Sequence, residues 1–189
     1  MRGGILTQRH NNIVQVLQYL ALHAGFHTTR EPNTHIRPPA VEAKSADSKG
    51  YNDHADLLLL RHDLKLYIDV AVTRPTNDTL IKSTPKAVST QKLFSTKNIS
   101  RKKHSRYDEI ARVNGYRMIP FVVESYGGIG AEALTLLHTM AAHCKEYSPR
   151  EFLLHAHHRI SIALQSSNAN ITSTRHATAS SPTAVCIQQ

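Results

Sequence analysis

Apolar and polar positions along this chain change period several times, and each change marks an element. From Asn11 to Ala24 the apolar residues fall at Ile13, Val16, Leu17, Leu20, Ala21 and Ala24, the spacing of an amphipathic helix, with Gly25 as its stop. Phe26 to Glu31 reads as a short strand broken by Pro32. Residues 32 to 53 hold three prolines among Lys, Ser, Asp and Gly with little apolar content, which predicts a long surface loop. Next come two apolar runs, Leu57 to Leu60 and Leu66 to Val72, on either side of the polar stretch Arg61-His62-Asp63; this is a β-hairpin pattern, and Pro75 ends its second strand. A basic, mostly polar stretch from about Pro85 to Asn114 predicts a helix that is firmer in its second half, stopped by Gly115. Met118 to Val123, ending in Glu124, is a compact apolar run of the kind a buried strand carries. The glycine-rich turn at 126 to 130 leads into a helix over Ala131 to Cys144, and Pro149 suits the first turn of a further short helix reaching about Leu164. Beyond Gln165 the chain is rich in Ser, Thr and Ala without periodicity, which predicts disorder.

Helix, strand, hairpin, helix, strand, helix is an α/β order, and it implies a mixed sheet flanked by helices. The expected organisation is a leader over 1–8, one domain over 9–145, a C-terminal helix over 146–165 and a disordered low-complexity tail over 166–189.

Composition narrows the partners. The 189 residues carry 23 Lys and Arg against 14 Asp and Glu, a net charge of +9, and the pI is near 9.8. Such a surplus favours a polyanion, either nucleic acid or an anionic surface. No apolar run approaches the ~20 residues that a membrane span needs, and the opening residues lack the apolar stretch of a secretory signal. The two cysteines, Cys144 and Cys186, are far apart, which argues against a disulfide scaffold or structural zinc site and fits a reducing, intracellular compartment. Trp is absent and 6% of residues are aromatic, so base stacking on many rings is not the expected mode of binding.

Chemistry concentrates in the hairpin. If His62-Asp63 is a two-residue turn, position i faces position 125 − i, and Asp56 lies opposite Asp69. Opposed residues hold their Cβ atoms roughly 4.5–5.5 Å apart. Two carboxylates that close repel unless a cation or proton lies between them. A hard divalent ion such as Mg²⁺ (or Mn²⁺) suits the position, since it is commonly held by one or two carboxylates with water and phosphate oxygens. Asp69 also interrupts the apolar strand LYIDVAV, and a buried charge needs a partner. On the basic helix Lys103 and Tyr107 are i and i+4 and share a face that could meet the hairpin. Lys97, Arg101, Lys102, Lys103 and Arg106 place five cations in ten residues, a phosphate-contacting pattern that gives affinity without reading base sequence. Blander assignments stand beside these. Glu124 could cap the following turn or pair with Arg9. Arg9 and His10 could anchor the first helix or touch a phosphate. Glycines 127, 128 and 130 lack the GK[ST] of a phosphate loop and suit a turn serving the next helix. His155, His157 and His158 suit a solvated helix edge.

In order, RHN (9–11), EPN (31–33), ADLLLL (55–60), YIDVAV (67–72), RKKHSRY (101–107) and IPFVVESYGGIG (119–130) resemble the restriction-like endonuclease domain that follows the reverse transcriptase in site-specific non-LTR retrotransposons. The resemblance covers roughly residues 9 to 142. It implies the PD-(D/E)XK nuclease fold, a divalent metal cofactor, and the nicking of target DNA so that its 3′ end primes reverse transcription, with DNA and the RNA of a retroelement as partners. Together with the Arg101-Lys102-Lys103 cluster, a DNA partner implies a nuclear location. By the resemblance Asp56 and Asp69 match the two acidic metal ligands, and Lys103, with Lys102 as the alternative, matches the lysine moved onto the following helix. Tyr107 closes the basic segment, Arg9 and His10 match the helix-opening pair, and Glu124 matches the glutamate after the PFV strand; these four would support the catalytic residues. Ala55 stands where the family usually has proline, His54 where it has Arg or Lys, and Arg106 where it often has a second lysine. None of these departures removes a ligand. The rival class is a non-catalytic basic module that binds nucleic acid, built on a decayed nuclease. A ribosomal or membrane-surface basic protein is a third reading, and it gives no reason for an aspartate inside an apolar strand.

Overall fold

Alternation along the central strands sends apolar side chains to two different faces, and each face has its own helical cover. The computed structural model describes residues 2–32, 55–62, 64–74 and 93–179. Within them the order is α1 (Arg2–His23), β1 (His27–Arg30), β2 (Leu57–Arg61), β3 (Leu64–Thr73), α2 (Phe94–Val113), β4 (Arg117–Glu124), α3 (Ala131–His143) and α4 (Pro149–Ala179). The strands form one mixed sheet in the order β1-β2-β3-β4, antiparallel for the first two pairings and parallel between β3 and β4. The expected α/β class with a mixed sheet and flanking helices is what the chain adopts. The parallel pairing follows from the connection: β3 and β4 are joined through α2, and parallel neighbours need such a crossover.

The larger core joins one face of the sheet (Leu57, Leu59, Leu66, Ile68, Val70, Ile119, Phe121 and Val123) to α1, α3 and α4. The smaller core joins Leu58, Tyr67 and Met118 on the other face to Tyr107, Ile110 and Ala111 of α2. Ala55 is fully buried in that smaller core, so this small residue before Asp56 is a packed one. Asp69 has the parity of Tyr67 and so belongs to the face that α2 covers.

Local chemistry explains the joins. Gly25 has φ +75°, and the Arg61 guanidinium occupies the place its Cβ would take while donating to the carbonyls of Ala24 (2.7 Å) and Gly25 (3.2 Å). The turn from α1 into β1 is thus clamped by the end of β2. After β4 the glycine-rich segment folds back on the strand, with Glu124 N–H donating to Gly128 O (2.7 Å) and Gly130 N–H to Val122 O (2.9 Å), and serves the start of α3.

Two expectations about the chain's ends are corrected. The helix expected from Asn11 begins at Arg2, so residues 2–8 are its first two turns rather than a leader. The last helix runs to Ala179 instead of stopping near Leu164, so the expected disordered tail is helical over residues 166–179. The reason is a stripe that continues past the change in composition: Phe152, Ala156, Ile160, Leu164, Ser167 and Ile171 are all buried at helical spacing. Polar residues of this extension bond to other elements: Asn12 Nδ2 donates to Ser167 Oγ (3.0 Å) and Asn168 Nδ2 to Ser125 O (2.8 Å). The expected loop over 32–53 (save Pro32), Pro75, residues 85–92 and the last ten residues of the tail lie outside the described residues.

Cutting the chain after Gln165 removes Ile171 and the Ser167 and Asn168 bonds. Summing one buried aliphatic side chain and the net worth of these hydrogen bonds gives a loss of about 4 kcal/mol, or a fall in Tm of roughly 10 °C. Thermal melts of the full and shortened chains check this; equal midpoints would mean the extension is not docked.

Candidate active site

The hairpin has the register that a two-residue turn predicts: Leu57 pairs with Ile68, Leu58 with Tyr67 and Arg61 with Leu64. His62 takes the left-handed backbone (φ 46°) that such a turn requires, while Asp63 is outside the described residues. Asp56 lies one residue before the first pair of that register, and its carboxyl meets that of Asp69. It is fixed there by its own backbone, whose N–H donates to Ile68 O (2.9 Å) and whose carbonyl accepts from Glu31 N–H (3.0 Å). Its carboxylate Oδ2 accepts from Val70 N–H (2.6 Å) and contacts His10 Nε2 (3.1 Å). The side chain thus continues the β2–β3 ladder for one more bond, with an α1 residue as its second partner.

Asp69 is 6% exposed at its side chain and forms an ion pair with Lys103 Nζ. Burial pushes its carboxyl up to about 6; Lys103 opposes this and neighbouring Asp56 adds to it. Burial therefore outweighs the lysine in setting the protonation of this carboxyl. The His10 ring is shifted upward, first by its bond to Asp56, with burial opposing and the charges of Asp56 and Asp69 assisting. Lys103 Nζ lies 5.9 Å from the centroid of the buried Tyr107 ring, and Arg106 Cζ lies 4.8 Å from the same ring. The i, i+4 face expected on this helix does meet the hairpin. Of the two lysines left open by the sequence, Lys103 is beside the carboxylates and Lys102 is exposed.

Lys97 and Arg101 are exposed and line a cavity of about 300 Å³ between α2 and the start of α3, with Ser100, His104 and Glu132 on its walls. His104 spans the cavity's base, bonded to Asp108 (2.7 Å) on its own helix and to Glu132 (2.6 Å) on α3. Composition gave no sign of this bridge.

Two expected supporting residues lie elsewhere. Glu124 pairs with Thr73, four positions beyond Asp69 on β3 and about 13 Å along the sheet. Its Oε1 accepts from Ser95 Oγ (2.6 Å), which joins the end of β4 to the first turn of α2. Arg9 is buried and donates from Nη1 to Asn168 Oδ1 (3.1 Å), so it faces α4 while its neighbour His10 faces the carboxylates. The α4 partners were missed because the residues after Gln165 have weak helix propensity; the buried stripe was the available signal. Of the three histidines on α4, His157 and His158 are exposed, as expected for a solvated edge. His155 is half-buried: its Nε2 accepts from Arg159 Nε (2.6 Å), and it packs beside Tyr19 and Tyr147.

No known protein-family model matches the chain, and no curated protein is significantly similar to it.

The raised Asp69 pKa fixes the sign of a pH effect. Between about 4 and 6 the folded state holds a proton that the unfolded state has released, so this carboxyl costs stability as pH rises through that window. Asp69→Asn should flatten the decline in Tm between pH 4 and 6.5, a difference on the order of 5 °C across the window. Paired melts at several pH values check this, and parallel curves would show that Asp69 is not buried as described.

Proposed function

We propose that this chain is a Mg²⁺- or Mn²⁺-dependent DNA endonuclease of the PD-(D/E)XK type, derived from a retroelement, that nicks target DNA. One observation carries the reading: two carboxyls meet beside the hairpin, one of them buried in mid-strand, with a lysine from the next helix on it. The order of one helix, three antiparallel strands, a crossover helix and a parallel strand agrees with that fold. The hard carboxylate oxygens of Asp56 and Asp69, which lie close enough to raise the pKa of Asp69, fit a divalent cation. Among the described residues no group of three or more His, Cys, Asp or Glu gathers to hold an ion, so Asp56 and Asp69 would hold it with water and phosphate oxygens. When bound, such an ion neutralises phosphoryl oxygens and lowers the pKa of its water.

The remaining roles belong to the chain itself. Lys103, seated above Tyr107, orients a water or stabilises charge developing on the phosphate. His10 holds the Asp56 carboxylate in place. Lys97, Arg101, Lys102 and Arg106 contact backbone phosphates, which gives binding that weakens steeply with salt. Within a retroelement the nicked 3′ end would prime reverse transcription of the element's RNA, and with a DNA substrate the protein would act in the nucleus. Among the described residues no helix is long and apolar enough to cross a membrane.

A second reading, a non-catalytic nucleic-acid-binding module, is favoured by a specific observation. Each carboxylate already has a protein cation or donor against it, Lys103 on Asp69 and His10 on Asp56. An arrangement of this kind can persist after metal binding is lost.

Plasmid nicking separates the two. With Mg²⁺ or Mn²⁺, and not with EDTA, wild type should convert supercoiled DNA to nicked circles. Asp56→Ala and Asp69→Ala should reduce the rate at least a hundredfold while DNA affinity changes less than threefold. Undiminished nicking by Asp69→Ala would sink the assignment. No nicking by any protein, with salt-sensitive DNA binding intact, would establish the binding module.

A further inference from the structure

Arg9 is the only Lys or Arg side chain buried among the described residues, at 5% exposure. Its guanidinium stays charged and has five N–H donors to place. One group, Nη1, reaches a neutral acceptor, Asn168 Oδ1 (3.1 Å), while Nε is buried without an acceptor. Among the described residues no carboxylate pairs with it, in contrast to Lys103, whose charge meets Asp69. A buried cation without a counter-charge is costly.

The surroundings add positive charge instead of removing it. Asn168 also donates to Ser125 O (2.8 Å), and Ser125 N–H donates to Thr73 O (2.7 Å). The residue after Thr73 is Arg74, which is exposed. Burial first, and the charge of Arg74 second, depress the Arg9 pKa. A chain of bonds therefore brings two arginines to one end of β3 and β4, with half-buried Asn168 between α1 and the strand ends.

We infer that Arg9, Arg74 and Asn168 form an anion site whose ligand is a phosphate of a nucleic-acid backbone. Arginine suits the task because its planar fork matches phosphate oxygens two at a time. Here Asn168 takes one donor and sets the plane of the fork, the guanidinium donors left over are available to the anion, and Arg74 supplies the second charge. Thr73 is four residues from Asp69 on one strand, about 13 Å away. The site would thus grip the backbone beyond the phosphate that faces the carboxylates. The choice of a nucleic-acid ligand rests on the nuclease reading; the anion site itself does not.

The test follows the Arg9 Nε–H resonance in ¹⁵N-labelled full chain, assigned by its absence in Arg9→Lys. It is titrated with inorganic phosphate and, separately, with a short duplex oligonucleotide. Both probes should shift it saturably. Arg74→Ala should weaken oligonucleotide binding about three- to tenfold and lower the salt slope by about 1. Asn168→Asp, which sets a carboxylate against Arg9, should abolish both shifts, with Tm confirming that the variant is folded. An Arg9 signal that moves with neither probe overturns the site. A shift with phosphate and none with DNA overturns the backbone assignment and leaves a site for a small phosphate ester. If Asn168→Asp fails to fold, Arg74→Ala decides: wild-type oligonucleotide affinity and salt slope overturn the proposal. The same titration on Asp69→Ala should still shift Arg9, so a loss of nicking and a loss of phosphate binding are read separately.

Discussion

The constraint on which the rest depends is a carboxylate held in the middle of the strand that has neighbours on both sides. β3 pairs with β2 along one edge and β4 along the other, and Asp69 lies opposite Pro120 in the second pairing. The sheet has no water to offer it there. Its charge can be met only from the covering layer, and that sets where α2 must lie: Lys103 has to reach Asp69 while Tyr107, Ile110 and Ala111, on the turns that follow, pack against Tyr67 and Met118. Helix register, the smaller core and the placement of the lysine are one solution to one electrostatic demand. Asp56 is placed by a different means, the backbone ladder, which is why a change in hairpin register would separate the two acids.

Much of this was legible in the residues. The hairpin register followed from a two-residue gap between apolar runs, because strand periodicity leaves no freedom once the turn is fixed. Asp69 stood out as a charge inside an apolar strand. Helix spacing placed Lys103 and Tyr107 on one face, but it could not choose between Lys102 and Lys103, since that choice depends on which face turns toward the sheet. The fate of residues 166–179 was misread because Ser, Thr and Asn are weak helix formers in isolation; here Ser167 bonds to Asn12 of α1, a contact across some 150 residues that no local window contains. For the same reason Arg9 and Glu124 were assigned to the wrong neighbourhood. Adjacent residues on a helix diverge by about 100°, so Arg9 and His10 serve different ends of the sheet.

The two buried charges among the described residues are treated in opposite ways. Asp69 is negative, lies at mid-strand and is met by a lysine from the chain; Arg9 is positive, lies beyond the strand ends and is met by an amide. With a +9 net charge there is little acid to spare, so a buried acid finds a partner more readily than a buried base does. Lys97 and Arg101, by contrast, remain at the surface, where water meets their charge without help from the fold.

The docking of α4 on α1 has a consequence for how the protein is made. Arg9 and Asn168 are separated by 159 positions, and Asn12 and Ser167 by 155. During synthesis the hairpin, α2 and β4 emerge long before Asn168 does, and contacts between distant segments form late and slowly. Until then α1 packs on the sheet, but Arg9 and Asn12 lack their partners on α4. A nascent chain can hold the acidic pair, its lysine and His10 together early, but the polar seam between α1 and α4 closes only when α4 has left the ribosome.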